Sequence, residues 1–193
     1  MTQYSDTPPP NSSQPPEGGS QAELQQAELQ KLHQPVPQEF DIRIAADGSW
    51  FHEGGLIGRP ALVKLFASVL QREADGTYWL VTPVERGRIE VEDAPFIGVS
   101  VNIEGQGLEQ QITITTNVGD DVPVGIDHIL AMRAPASGAG DLRPYVVVRD
   151  GLEACLSRPV FYELAALSVE GPGGNLGVWS HGQFFELDGE TAS

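Results

Sequence analysis

The sequence predicts an α+β fold, with two small antiparallel-sheet subdomains built from a repeated hairpin–helix–hairpin unit. Three observations predict it. Apolar and polar residues alternate over many short runs, as half-buried strands require. Asp-Gly and similar dipeptides separate those runs at hairpin spacing. Two stretches keep helical spacing instead, and their order among the strands lacks the regular strand–helix alternation of a parallel sheet.

Residues 1–35 stand apart from the rest. They hold Pro8, Pro9, Pro10, Pro15 and Pro16 and no Val, Ile, Phe or Trp. A segment of this kind buries too little apolar surface to offset its ordering entropy, so residues 1–20 are expected to be disordered. Residues 21–33, QAELQQAELQKLH, are good helix formers carrying Leu24, Leu29 and Leu32, and one short helix is expected there. The tail has no Arg-rich start and no apolar core, so it reads as neither a signal nor a transit peptide. No run of 18 apolar residues exists to span a membrane.

The folded part begins with FDIRIAADG and SWFHEG, a hairpin turned at Asp47–Gly48. Residues 60–72 place Leu62, Leu65, Phe66, Val69 and Leu70 at helical spacing behind Pro60, a residue suited to a first helical turn. TYWLVTPVE and GRIEVED follow as a strand pair, with a turn expected at Arg86–Gly87. In GRIEVED, Ile89 and Val91 alternate with Glu90 and Glu92, so the two glutamates share the solvent face. Asp93 ends that strand, where a turn capped through its own backbone is expected, with a ligand contact as the alternative. FIGVSVNIEG and LEQQITITTNVG form the next hairpin, and residues 119–144 form a loop-rich excursion. PYVVVRDG and LEACLS turn at Asp150–Gly151, a helix runs over 159–169, and LGVWS and QFFEL close the chain with a turn at His181–Gly182. The subdomains are expected to cover 36–95 and 96–190.

The two halves resemble each other. Each runs from a hairpin turned at Asp-Gly to an Arg-Pro pair (Arg59–Pro60, Arg158–Pro159), a helix with Leu six positions after the Arg (Leu65, Leu164), and a Trp-bearing strand (Trp79, Trp179). Duplication of one unit explains the joint match, although the spacing between Asp-Gly and Arg-Pro differs between the halves.

Charge limits the function classes. The net charge is −16, and most of it belongs to the folded part. That argues against nucleic acid and anionic membranes as partners, since both are bound through Lys/Arg patches. Nine Arg against two Lys suggests fixed pairing or anion recognition through the planar guanidinium. Cys155 is the only cysteine, so no internal disulfide forms, which fits a reducing cytoplasm, and its flanks pack it as a small hydrophobe on a strand. The four histidines, His33, His52, His128 and His181, have no metal-ligand spacing, no G-x-S-x-G elbow is present, and GPGGNLG follows a helix instead of opening one. No catalytic residue, cofactor or metal is therefore expected.

Arg59 and Arg158 carry a signal of their own. A cation at a helix start opposes the helix dipole by about 0.3–1 kcal/mol, yet both halves keep it. Either an acidic neighbour or an anion held by Arg and helix N–H groups accounts for this. Arg133, Arg143, Arg149 and Tyr145 add donors in the C-terminal half. Arg59, Asp93, Arg133, Tyr145, Arg149 and Arg158 make up the candidate ligand-binding set.

DGSWFHEGGLIGRPALVKLFASVL, GTYWLVTPVE, IEVEDAPF and PYVVVRDGLEACLSRPVFYELA together resemble the bacterial family catalogued as domain of unknown function 1285, over nearly everything from about residue 36 onward. The resemblance implies a duplicated α+β core whose C-terminal half is superficially like a pleckstrin-homology domain. It also implies a nucleotide-like ligand between the domains and a part in signalling. The expected function is a non-catalytic ligand-binding or sensing module. The alternative is a protein-interaction module, with a protein partner in place of the small anion.

Overall fold

Hairpins at the Asp-Gly and His-Gly dipeptides organise the chain. The computed structural model describes residues 35–188; the tail expected to be disordered and its helix over 21–33 lie outside them. The described residues all belong to one compact unit. At Asp150–Gly151 both turn residues have positive φ (42° and 74°), and at His181–Gly182 they do again (49° and 73°). This mirror-image turn matches the right-handed twist of paired strands.

The first half contains β1 (Pro37–Ile44), β2 (Trp50–His52), β3 (Gly55–Leu56), α1 (Pro60–Ser68), β4 (Leu70–Arg72), β5 (Tyr78–Val81) and β6 (Arg86–Val91). The second contains β7 (Phe96–Glu104), β8 (Gln111–Thr116), β9 (Asp121–Pro123), β10 (Leu130–Arg133), β11 (Arg143–Arg149), β12 (Leu152–Leu156), α2 (Arg158–Ala166), β13 (Val169–Glu170), β14 (Leu176–Ser180) and β15 (Gln183–Glu186). The strands form a sheet in the order β3-β2-β1-β6-β5-β4, a second in the order β10-β11-β12-β7-β8-β9, and a three-stranded sheet β13-β14-β15.

Among the described residues the content is mostly strand with two short α-helices and one 3-10 turn (Gly107–Glu109), consistent with α+β. The expectation of purely antiparallel sheets is corrected: β1 runs parallel to β6, and β12 parallel to β7. In each case the intervening elements supply the long crossover that a parallel pair needs. The halves share the order hairpin, nine-residue helix, three-strand meander, but the meander after α1 joins its hairpin's sheet while the one after α2 forms a separate sheet.

The turn expected at Arg86–Gly87 is also corrected. Both residues lie within β6, and the turn closes one step earlier, where the Thr82 N–H donates to the Glu85 carbonyl at 2.8 Å. Gly87 is needed for a different reason. A Cβ there would sit 2.0 Å from a ring carbon of Phe40 on β1, so only glycine lets that ring lie on the strand. Glu90 and Glu92 are exposed and Ile89 is buried, as the alternation predicts. Glu92 accepts from the Ala46 N–H at 2.9 Å and pairs with Arg43.

One apolar core runs through both halves. Ile44, Trp50 and Leu80 from the first sheet belong to the same cluster as Phe96, Ile112, Ile114 and Leu152 from the second and Val160 and Leu164 from α2. The three-stranded sheet is fastened to the second sheet through Ser180, which is fully buried. Its hydroxyl donates to the Val124 carbonyl (2.7 Å) and accepts from the Ile112 N–H (3.0 Å). Ser180→Ala strands both backbone groups away from water, so stability will fall by about 1–3 kcal/mol. Urea unfolding measures this, and a loss below roughly 0.5 kcal/mol contradicts the fastening role.

Candidate functional site

A carboxylate at the end of a solvated strand should point to water, but Asp93 is buried, with 6% of its surface exposed. The reading that Asp93 caps a turn through its own backbone is therefore corrected. Its carboxylate accepts from the Tyr145 hydroxyl at 2.7 and 3.0 Å and from the Ala136 N–H at 2.9 Å. Arg133 and Arg143 each bring a guanidinium nitrogen to 3.8 Å from one of its oxygens. Two hydrogen-bond donors, the hydroxyl shared between both oxygens and the Ala136 amide, and two cations compensate the burial of one charge.

The sheet places these groups. Arg143 and Tyr145 are two apart on β11 and so share a face. Tyr145 pairs across the ladder with Cys155 on β12. Arg133, on the neighbouring β10, lies over the Tyr145 ring at 3.4 Å and donates to Glu153 at 2.7 Å. Burial foremost, and then the hydrogen bond to Asp93, pushes the Tyr145 phenol well above its ordinary value of 10.0. Burial, and then the Asp93 charge, raises the Cys155 thiol above its ordinary 9.0. Both groups keep their protons in the fold at a pH where the unfolded chain releases them. Stability is therefore full below pH 9 and declines as pH rises through 9–10 and beyond. Urea midpoints measured from pH 7 to 11 will be level at first and then fall, and Tyr145→Phe will flatten part of the fall.

Arg143 and Cys155 also line a cleft of about 910 Å³. Its walls are the amino end of α2, with Arg158, Phe161 and Tyr162, the segment Gly140–Pro144, and Ala46–Asp47 in the turn between β1 and β2. Both halves of the chain therefore contribute. Arg143 and Arg158 are the cations of the lining, and Asp47 and Asp141 its carboxylates. Asp47 accepts from the Ser49 N–H at 2.9 Å, and hydrogen bonds from Ser49 hold its carboxyl below the ordinary value, so it stays ionised. The α2 start has Ser157 as its cap residue with no side-chain cap bond and no acid in the first turn, which leaves the positive end of the helix dipole open to the cleft.

The structure divides the six expected residues into three groups. Asp93, Arg133 and Tyr145 meet in one buried cluster. Arg158 stands in the adjoining cleft, is exposed, and makes no ion pair among the described residues. Arg149 and Arg59 join neither. Arg149 donates to the Ala67 carbonyl near the carboxyl end of α1 (2.6 Å) and to Asp120 (3.2 Å), a structural grip between the halves. Arg59 is the exposed cap residue of α1, whereas Arg158 occupies the first residue of α2, so the two are not equivalent. Arg143, Asp47 and Tyr162 complete the cleft. Sequence reasoning named Arg143 only as an added donor and missed the other two.

Two family profiles match the chain in succession. A profile described as the N-terminal domain of unknown function DUF1285 matches residues 29–94, and one described as the C-terminal domain of a protein of unknown function (DUF1285) matches 95–187. A DUF1285 family protein from Silicibacter pomeroyi DSS-3 is 46% identical, with a TM-score of 0.74 over 81% of this chain and 85% of that one. Another from Shewanella baltica OS155 is 29% identical, with a TM-score of 0.50 over 64% of this chain and 89% of that one. No curated protein matches. Among the described residues, no helix is long and apolar enough to cross a membrane.

Proposed function

The chain belongs to the DUF1285 family, and from that premise we propose that it is a non-catalytic module that binds a small nucleotide-like anion in the cleft between its two family domains. One observation carries the reading: Arg143 and Arg158 face the same cleft at an uncapped helix start. Guanidinium groups and helix N–H groups converge on phosphate by the same geometry in many folds. Asp47 and Asp141 add acceptors for hydroxyl or amino groups on the rest of the ligand, and Tyr162 adds an aromatic surface. The cleft offers no activated nucleophile, because Cys155 is buried with a raised pKa. A part in signalling fits a module that binds without reacting.

The test is a thermal-shift screen of the full chain against adenosine, its mono- and triphosphates and inorganic pyrophosphate. A ligand at a hundredfold excess over its dissociation constant adds about 2.7 kcal/mol of stability. Phosphorylated compounds will stabilise the protein, adenosine will not, and Arg158→Ala will remove the shift without lowering the unliganded melting temperature. A flat screen favours the second reading, a protein-interaction module, for which Ile126 and Leu108 (74% and 63% exposed) provide apolar anchor points.

The same reading treats the two hairpin–helix–meander runs as descendants of one duplicated unit and the C-terminal half as pleckstrin-homology-like. The shared Asp-Gly and Arg-Pro landmarks and the equal helix lengths support the former. Six consecutive strands in one sheet followed by a helix support the latter.

A further inference from the structure

Asp93 lies outside the lining of the cleft, yet it touches what forms one wall. The segment after β10 runs from Ala134 to Leu142 before β11 begins, and its far end, Gly140–Leu142, lines the cleft. Pro135 is its one buried residue, and Gly138 and Gly140 have positive φ (68° and 104°). Such a segment has little packing of its own to hold it. Its backbone hydrogen bond from Gly138 N–H to the Pro135 carbonyl is internal, and Arg133 reaches only its first residue, at the Ala134 carbonyl. The hydrogen bond from its backbone to a buried group elsewhere is Ala136 N–H to Asp93. The other oxygen of the same carboxylate lies 3.8 Å from the Arg143 guanidinium, which is half exposed and faces the cleft. Asp93 is also the last residue but one before the second family domain begins at 95.

We infer that Asp93 is the positioning residue of the cleft: its buried carboxylate fixes the 134–142 wall through the Ala136 N–H and sets where Arg143 presents its charge. The role in binding rests on the cleft reading above, and the role in holding the wall does not. An anion that draws on Arg143 thus acts on a group tied to the junction between the two domains.

Hydrogen exchange of the full chain, followed residue by residue, tests the wall, and calorimetric titration with inorganic pyrophosphate tests the binding. In Asp93→Ala the Ala136 amide will exchange about tenfold faster or more, while amides of β8 and β14 keep their relative protection. Asp93→Asn keeps an amide oxygen to accept from Ala136. It will retain most of that protection and serves as the folded control should the alanine variant fail to fold. Pyrophosphate will bind Asp93→Ala at least about fivefold more weakly than wild type. Arg158→Ala will lose pyrophosphate with the Ala136 amide unchanged.

Unchanged Ala136 exchange in a folded Asp93→Ala, or a loss of Ala136 protection in Asp93→Asn as large as in Asp93→Ala, overturns the positioning role. So does unaltered pyrophosphate affinity in a variant whose wall has loosened. Should wild type fail to bind pyrophosphate, the cleft reading falls, and the exchange data still decide whether Asp93 holds the wall.

Discussion

Phe96→Ala will lower the stability of the folded unit by about 3–5 kcal/mol, the cost of truncating a fully enclosed aromatic side chain. Phe96 has no exposed surface and opens β7 opposite Ala154 of the parallel partner β12. Arg149 lies 5.3 Å from its ring, and the same Arg149 grips the carboxyl end of α1. The ring thus sits where the two family domains share their core, and its loss loosens contacts in both. Urea unfolding will show a lower midpoint with an unchanged slope, and the melting temperature will drop by roughly 6–20 °C. A loss under about 1 kcal/mol means that the site collapses freely and the shared core is softer than its packing indicates.

Asp93→Ala will cost about 3–4 kcal/mol, by a different mechanism. Truncation leaves the buried Tyr145 hydroxyl and the Ala136 N–H without an acceptor, at about 1–3 kcal/mol for the more buried of the two. Arg133 and Arg143 lose a shared anion, but both reach solvent, so their share is well below the value for a fully buried pair. Adding Tyr145→Phe to Asp93→Ala will recover part of the loss, because it removes the orphaned hydroxyl. Strict additivity of the two substitutions in urea unfolding contradicts the direct hydrogen bond.

Hairpins were legible in the sequence because Asp47–Gly48, Asp150–Gly151 and His181–Gly182 encode their turns locally. Both helices were legible from Pro60 and Pro159 and the apolar spacing behind them, but not their ends: the expected 60–72 stops at Ser68 and the expected 159–169 at Ala166, and Leu70 and Val169 open strands instead. Arg86–Gly87 misled because glycine there serves Phe40, nearly fifty positions away, and a close approach of that kind leaves no local trace. The parallel pairs were hidden for the same reason, since neighbours on such a ladder are distant in sequence. Asp93, Arg133 and Tyr145 were singled out individually, but their meeting was not readable. A regular hairpin at Asp150–Gly151 would face Tyr145 with Leu156. The irregularity between Val147 and Arg149 brings Cys155 opposite instead. One displaced residue decides which side chains surround Asp93, and a bulge has no reliable mark in a single sequence. Arg59 and Arg158 looked equivalent because Arg-Pro recurs, yet α1 begins at its proline and α2 one residue earlier.

The two parallel ladders also set an order for synthesis. β1 leaves the ribosome roughly forty residues before β6, and β7 precedes β12 by a similar stretch, so at translation speeds each waits for seconds before its partner exists. Neither central strand can complete its sheet until its parallel partner has emerged. The nascent chain carries an open strand edge through that interval, twice in succession. The rate at which ribosomes cross 45–91 and then 105–156 therefore governs how much chain is exposed to mispairing. Slowing translation just after residue 91 gives the first sheet time to close before β7 emerges with an open edge of its own.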